Sequence, residues 1–176
     1  MAKNFKELLS KVSECSKKTL AVACAQDQAV LEAVKEANER GIASSILVGD
    51  EEKIREIAAS INMDLSDFKI INVVDTVEAS LAAVKLVHDG EADMYLKGLL
   101  DTKTFLKSVL DKEVGLRTDK TLSHVCVFEC EGIDRLLFLT DVAFLPYPTL
   151  EDKVAIINNT VEIAHACGIE CPKVAG

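Results

Sequence analysis

Cationic, hydroxyl and imidazole side chains are concentrated in one short segment, residues 115–124 (GLRTDKTLSH). Arg117 and Lys120 supply two cations, and His124 closes the segment. Three hydroxyl groups accompany them: those of Thr118, Thr121 and Ser123. The combination suits a tetrahedral dianion, because a guanidinium can donate to two of its oxygens while hydroxyls contact the others. A solvated surface loop without a ligand is an equally good interpretation of these residues.

Two further polar positions lie where predicted strands end. Residues 97–104 (KGLLDTKT) form a strand-to-helix turn in which Gly98 allows close backbone approach and Thr102 or Thr104 offers a hydroxyl. An ordinary turn with a Thr or Asp helix cap is the alternative. Asp141 follows the run RLLFLT, where a carboxylate is more often a cap or a turn former than a catalytic group.

The remaining residues that could do chemistry form no recognisable motif. The sequence contains no GxGxxG, no P-loop, no HExxH and no GxSxG. Two pairs of the six cysteines have C-x3-C spacing, and His165 lies near the second pair, which permits a metal site. Cys24 and Cys126, however, lie inside apolar runs, where a thiol acts as a small hydrophobic side chain. We therefore expect structural thiols, structural histidines at 88 and 165, and no metal.

Composition and charge exclude several classes of function. The 176 residues carry a formal net charge of −9, and a nucleic-acid binder would instead cluster Lys and Arg. No segment approaches the roughly 18 unbroken apolar residues of a membrane helix. The N-terminus, MAKNFKELLSK, is typical of an amphipathic helix and lacks the features of a secretory signal. We expect a soluble, cytoplasmic protein.

Short β-branched runs alternate with segments of helical spacing, which is typical of a parallel sheet flanked by helices. The predicted strands are 19–25, 43–48, 68–74 and 92–97. Asp27 is placed to cap the first intervening helix, and Gly41 to end it. Ligands of such open sheets gather at the carboxyl ends of the strands, where helix N-termini present free N–H groups to anions.

The alternation of predicted strands and helices ends after the fourth strand and its helix. Residues 124–130 and 135–140 predict a hairpin that adds an antiparallel edge to the open sheet. Residues 150–167 predict a long helix that buries one apolar side. That side consists of Val154, Ile157, Val161 and Ala164. The run at 173–175 starts like a strand and stops, so we expect the natural domain to continue beyond it.

Six segments of the sequence carry a resemblance to a known family: AVACAQD, ILVGD, ADMYLKGLLDTKTFLKSVLDKEVGLRT, LSHVCVFE, DRLLFLTDVAF and NNTVEIAHACGIECPKVA. Together they resemble phosphotransbutyrylases, and more distantly phosphotransacetylases, essentially from end to end of the chain. The resemblance implies a three-layer α/β/α fold with a mostly parallel, doubly wound sheet and an antiparallel hairpin. It is the fold of isocitrate and isopropylmalate dehydrogenases, with two domains around a cleft.

The resemblance also implies a reaction: transfer of a short acyl group, such as butyryl, between coenzyme A and inorganic phosphate. Phosphate and an acyl-CoA are then the partners, coenzyme A enters as a thioester substrate, and no bound cofactor or metal is expected. The residues that the resemblance places at phosphate are Lys97, Gly98, Thr102, Arg117, Thr118, Ser123 and His124. Asp141 marks the crossing toward a second domain. Arg117 and Ser123 are the strongest candidates for anion contacts.

Three departures from the family pattern bear on activity. Asp119 stands where the family usually has glycine, and Leu145 where it usually has asparagine. Family members also continue well past residue 176, so we expect only an N-terminal portion here.

We expect a first α/β domain at 1–145 and the beginning of a second at 146–176. The alternative to an active acyltransferase is a non-catalytic folding or oligomerising unit with weak anion binding. An apolar surface left uncovered favours a homo-oligomer.

Overall fold

The computed structural model describes residues 2–176 and divides the chain into two compact units. The first unit is Cys15–Arg117. The second unit consists of two segments, the N-terminal residues up to Glu14 and residues Thr118–Gly176. These bounds differ from the predicted domains 1–145 and 146–176, and that predicted division stays a prediction. The elements follow one another in this order: α1 (Phe5–Val12), β1 (Lys18–Ala23), α2 (Gln28–Glu39), β2 (Ala43–Gly49), α3 (Glu51–Ser60), β3 (Lys69–Asn72), α4 (Thr76–His88), β4 (Met94–Lys97), α5 (Thr102–Val109), β5 (Val125–Phe128), β6 (Leu137–Thr140) and α6 (Leu150–Ala166).

The first unit is built on a four-stranded parallel sheet with the order β3-β2-β1-β4. Within this sheet β1 lies between β2 and β4, and Val22 aligns with Leu47 on one side and with Leu96 on the other. The central strands are apolar on both faces because helices cover both faces. The predicted α/β class and its parallel sheet are confirmed.

Alternate residues of the strands pack into two separate cores. Ala21 and Val48 belong to the core covered by α4, with Phe105 of α5 packed against it. Val22 and Leu47 belong to the opposite core, covered by α2 and α3. This two-sided burial follows from the period of two along a strand. The unit therefore has the predicted three layers, α/β/α.

Each helix of the first unit begins with an aspartate cap. The side chain of Asp27 accepts a hydrogen bond from Val30 N at 3.0 Å, as the sequence predicted. The caps of the other three helices are Asp50, Asp75 and Asp101. Each cap satisfies N–H groups that the first helical turn leaves without an intrahelical partner. The carboxyl side of the sheet therefore carries four carboxylates of the chain itself.

The second unit contains the predicted hairpin, β5 and β6. The two strands pair antiparallel, from Val125 opposite Thr140 to Phe128 opposite Leu137. The prediction that they extend the parallel sheet is wrong, because β5 and β6 form a two-stranded sheet of their own. Their backbone groups pair with each other, and α6 of the same unit packs against β6.

Helix α6 is present as predicted, and Ala164 of its predicted buried side is buried, whereas Val154 and Ile157 of that side are not. Its N-terminus carries a capping box between Thr149 and Asp152. Ile156 is 6% exposed, whereas Val154 is 52% exposed and Ile157 is 39% exposed. The helix is apolar on two stripes, and the stripe through Ile156 is the one that packs inward.

The end of the chain lies outside these elements. Residues 173–175, where the sequence predicts the start of a strand, are exposed and have no strand pairing among the described residues. None of the helices formed by residues 2–176 combines the length and the apolar character that a membrane-spanning helix needs.

Candidate functional site

The parallel sheet has a topological switch point between its adjacent strands β1 and β4. Open α/β sheets bind ligands beyond the carboxyl ends of two such strands. Of the predicted residues, Lys97 ends β4, Gly98 lies in the turn after it and Thr102 begins α5. Lys97 and Thr102 are exposed there.

Gly98 has a structural role at this turn. Its N–H donates to Ala23 O at 2.8 Å. A Cβ atom added to Gly98 would lie 2.4 Å from Ala23 O and 2.4 Å from Cys24 O. The ends of β1 and β4 thus approach too closely for any side chain at position 98. This close packing explains the glycine without a ligand, and its predicted phosphate contact stays a prediction.

Asp101 occupies the N-terminus of the helix that follows this turn. Its carboxylate accepts hydrogen bonds from Thr104 N at 3.0 Å and from Thr104 Oγ1 at 2.6 Å. The hydrogen bond from the Thr104 hydroxyl has the largest effect and the one from the Thr104 backbone the next largest, and both lower the pKa of Asp101 below its ordinary value. A negative charge therefore stands where an anion would otherwise meet the helix N-terminus. The aspartate cap foreseen as an alternative is present.

The loop before β5 belongs to the second unit and contains Ser123 and His124. Asn159 of α6 anchors this loop, because its Nδ2 donates to Thr121 O at 3.0 Å and to Ser123 Oγ at 2.9 Å. Ser123 is half-buried and Thr121 is also half-buried. The hydroxyl predicted to contact an anion is thus held by a helix 36 residues away in the sequence.

Asp141 ties the two ends of the hairpin together. Its Oδ1 accepts from His124 N at 2.5 Å, and its Oδ2 accepts from Phe144 N at 2.9 Å and from Leu145 N at 2.7 Å. Burial alone would raise the pKa of Asp141, but the three backbone donors and the nearby His124 ring lower it below its ordinary value. Both oxygens are used by the backbone, so Asp141 acts as a turn-forming anion.

The His124 imidazole is held by its neighbours. Its Nδ1 lies 3.6 Å from Cys126 Sγ, and its ring meets the ring of Phe144 edge to face at a centroid distance of 5.6 Å. Thr140 Oγ1 donates to His124 O at 3.0 Å. Ser123, His124 and Asp141 therefore belong to one connected region of the second unit. This arrangement fits a structural imidazole as well as a ligand contact.

The charged residues of the loop are largely exposed. Lys120 N donates to Thr118 Oγ1 at 3.1 Å, and Lys120 Nζ lies 3.5 Å from Glu162 Oε1. With side-chain exposures of 68% and 67%, that ion pair contributes at most about 1 kcal/mol. Arg117 is exposed at the end of the first unit and makes no ion pair within the part of the chain that the structure describes. It remains available to an anion.

Asn159 is the residue that the sequence interpretation missed. It lies three positions after the buried Ile156 on α6, so a polar side chain interrupts the packed stripe of the helix. That interruption is the one signal in the sequence that could have drawn attention to it. Nothing in the local pattern names its partners.

The described residues bring no set of metal-binding side chains together. No cluster of three or more His, Cys, Asp or Glu side chains placed to hold a metal ion occurs within residues 2–176. None of the six cysteines in this range forms a disulfide.

Comparison with known proteins gives consistent results. A model of the family described as phosphate acetyl/butaryl transferase matches residues 4–78 and 73–176. The phosphate butyryltransferase of Clostridium beijerinckii is 62% identical over 175 residues, which are 99% of this chain and 58% of that protein. The phosphate acetyltransferase of Thermotoga maritima is 38% identical over 171 residues, 97% of this chain and 58% of that protein. The chain thus spans about 58% of the length of these curated relatives.

Solved structures show the same architecture. A branched-chain phosphotransacylase from Enterococcus faecalis V583 superimposes with a TM-score of 0.68 at 29% identity, over 84% of this chain and 51% of that chain. A phosphotransacetylase from Streptococcus pyogenes superimposes with a TM-score of 0.79 over 95% of this chain and 60% of that chain. Its identity of 20% makes it evidence for the fold alone.

Proposed function

The chain belongs to the phosphate acetyl/butaryl transferase family, and on this premise we propose that it acts in the transfer of a short acyl group between coenzyme A and inorganic phosphate. The observation that carries the proposal is the match of the family model across both units, residues 4–176. The identity of 62% to a phosphate butyryltransferase supports butyryl as the acyl group. The products are an acyl phosphate and free coenzyme A.

The chemistry needs a phosphate oxygen to attack the carbonyl carbon of a thioester. A C–O bond forms, the C–S bond breaks, and the coenzyme A thiolate leaves and takes a proton from solvent. No electrons are exchanged, so the proposal includes no bound redox cofactor, and the expected absence of a metal stays a prediction. The protein contributes by orienting the two reactants and by balancing charge as the thiolate develops.

Ser123 is the predicted phosphate contact whose surroundings best support that role. Its oxygen already accepts a hydrogen bond from Asn159, so its hydrogen can be donated to an anion. The guanidinium of Arg117 can supply charge to a phosphate. Exposed Asp119 and the cap of Asp101 both oppose anion binding by their charge. The remaining predicted contacts are Lys97, Gly98, Thr102, Thr118 and His124.

A second candidate function follows from the coverage of the relatives. Because the chain spans about 58% of their length, it can be a folding or oligomerising unit that binds phosphate weakly and does not turn over. Several apolar side chains of the second unit support self-association by their exposure. They are Leu139 (54%), Val142 (48%), Tyr147 (94%), Leu150 (73%) and Val154 (52%). We include a homo-oligomer and a cytoplasmic location in the proposal.

A thiol-release assay separates the two functions. The purified chain is incubated with butyryl-CoA, with and without phosphate, and free coenzyme A is titrated with a thiol reagent. Phosphate-dependent release that falls at least about tenfold in Arg117→Ala supports catalysis, because one charged contact contributes about that much. Arg135→Ala is the matched control, since Arg135 is an exposed arginine of the hairpin segment.

The same preparation tests the weaker function. Phosphate that raises the thermal unfolding temperature of the chain, without turnover, supports the non-catalytic unit. If the chain shows no turnover and phosphate does not stabilise it, both candidates are contradicted.

A further inference from the structure

The Asn159 side chain joins helix α6 to the loop before β5 at two points. Its Nδ2 lies 3.0 Å from Thr121 O and 2.9 Å from Ser123 Oγ. Asn159 is half-buried, whereas its neighbour Asn158 is exposed. One amide group therefore controls the loop that ends in Ser123.

The Thr121 carbonyl fixes the direction of this amide. A carbonyl oxygen can only accept a hydrogen bond, so the amide atom that faces it must be the nitrogen. The same nitrogen faces Ser123 Oγ, and an amide nitrogen donates but does not accept. Ser123 Oγ must therefore accept the second N–H of Asn159, which occupies one of its lone pairs.

The hydroxyl of Ser123 keeps its own hydrogen under this constraint. That hydrogen has no hydrogen-bond acceptor among residues 2–176, and Ser123 is only half-buried. An ionised phosphate presents oxygens that accept hydrogen bonds, and bonds to charged acceptors are the strong ones. A serine held as a donor suits such a ligand, whereas one that donates to a protein group does not.

We propose that Asn159 is a positioning residue that keeps the Ser123 hydroxyl directed as a hydrogen-bond donor toward a phosphate oxygen. This inference rests on the proposed function, because it takes Ser123 as a phosphate contact. It adds a residue that touches no substrate and acts only through Ser123.

Replacement of Asn159 by Asp reverses the hydrogen bond with Ser123 and removes the one to Thr121 O, without changing the shape of the side chain. A carboxylate at this position accepts the Ser123 hydrogen and leaves the hydroxyl with only lone pairs for the anion. Asn158→Asp introduces the same charge on the adjacent residue, which is exposed and has no hydrogen bond from its side chain within residues 2–176. It is the matched control for the charge.

The experiment is a calorimetric titration of the 176-residue chain with inorganic phosphate at fixed ionic strength. We expect Asn159→Asp to raise the Kd by at least about tenfold and Asn158→Asp by less than about twofold. In a Ser123→Ala background, we expect Asn159→Asp to raise the Kd no more than Asn158→Asp does. A purely structural or electrostatic effect of the Asn159→Asp substitution would persist without the hydroxyl, so this coupling distinguishes positioning from packing.

Each outcome decides the inference. If Ser123→Ala weakens phosphate binding while Asn159→Asp matches its control, or acts equally in both backgrounds, the positioning role is wrong and the phosphate contact survives. If the unchanged chain does not bind phosphate, or Ser123→Ala changes nothing, both the contact and the positioning role fail. Should circular dichroism show Asn159→Asp unfolded, Asn159→Ala replaces it, with an expected rise in Kd of about threefold that is absent in Ser123→Ala.

Discussion

Replacing Asp141 with Asn should destabilise the second unit by about 2–3 kcal/mol. The two carboxylate oxygens accept three backbone hydrogen bonds, from His124, Phe144 and Leu145, at 2.5–2.9 Å. An asparagine keeps one oxygen and turns an NH2 group toward a backbone N–H, so at least one bond is lost and two donors face each other. Hydrogen bonds to a charged acceptor contribute about 1.5–3 kcal/mol each, and partial exposure reduces that figure.

The measurement is urea unfolding followed by circular dichroism at pH 7, together with amide exchange of His124 and Leu145. We expect a lower unfolding midpoint and faster exchange at both amides. Asp119→Asn is the control, because Asp119 is exposed and should change stability by less than about 0.5 kcal/mol.

The effect of Asp141 should also depend on pH. Burial raises the pKa of Asp141, but the hydrogen bonds from the backbone lower it by a larger amount. The pKa in the folded chain therefore lies below the ordinary value of about 3.9. A lowered pKa means that the stabilisation is fully present above about pH 4 and is lost as the pH falls through the folded value. The gap in stability between the unchanged chain and Asp141→Asn should therefore shrink below about pH 4. Equal stability of these two proteins at pH 7, or a gap that does not change with pH, would refute the reasoning.

Two other predictions concern residues of the first unit. Gly98→Ala should lower the stability of the first unit by at least about 2 kcal/mol, because the new Cβ would lie 2.4 Å from two backbone carbonyl oxygens. Thermal unfolding measures this change. Gly176→Ala is the control and should have no effect, because its new Cβ would meet nothing within 4 Å. In an ultraviolet titration, Tyr95 should ionise above the ordinary tyrosine pKa of about 10, because burial raises its pKa despite its hydrogen bonds with two serines. If Tyr95→Phe removes a transition at the ordinary pKa instead of a raised one, the buried position is contradicted.

The architecture of the first unit could be predicted because its signals are local. The run around β1 is almost entirely apolar, and Asp27 precedes its helix by one residue. The separate sheet of β5 and β6 could not be predicted, because a strand pattern does not specify which strand lies beside it. The buried side of α6 was predicted correctly only at Ala164, because the helix has two apolar stripes and packing selects the one with Ile156.

The candidate site was predictable only in part. The sequence drew attention to Ser123 and Asp141 through polar residues beside strands. It left the cap at Asp101 open as an alternative, and the structure contains that cap. Asn159 was missed because its contact with Ser123 joins residues 36 positions apart. A local pattern shows which groups are present, whereas their hydrogen bonds depend on the tertiary fold.

The central claim is that the loop before β5 binds inorganic phosphate, and amide NMR tests it most directly. The isotope-labelled chain is titrated with phosphate at constant ionic strength, and the backbone signals of residues 118–124 are followed. We expect saturable shifts concentrated in this segment, which are lost in Ser123→Ala and unchanged in Asn158→Asp. No saturable shift, or shifts confined to other segments, would contradict the account.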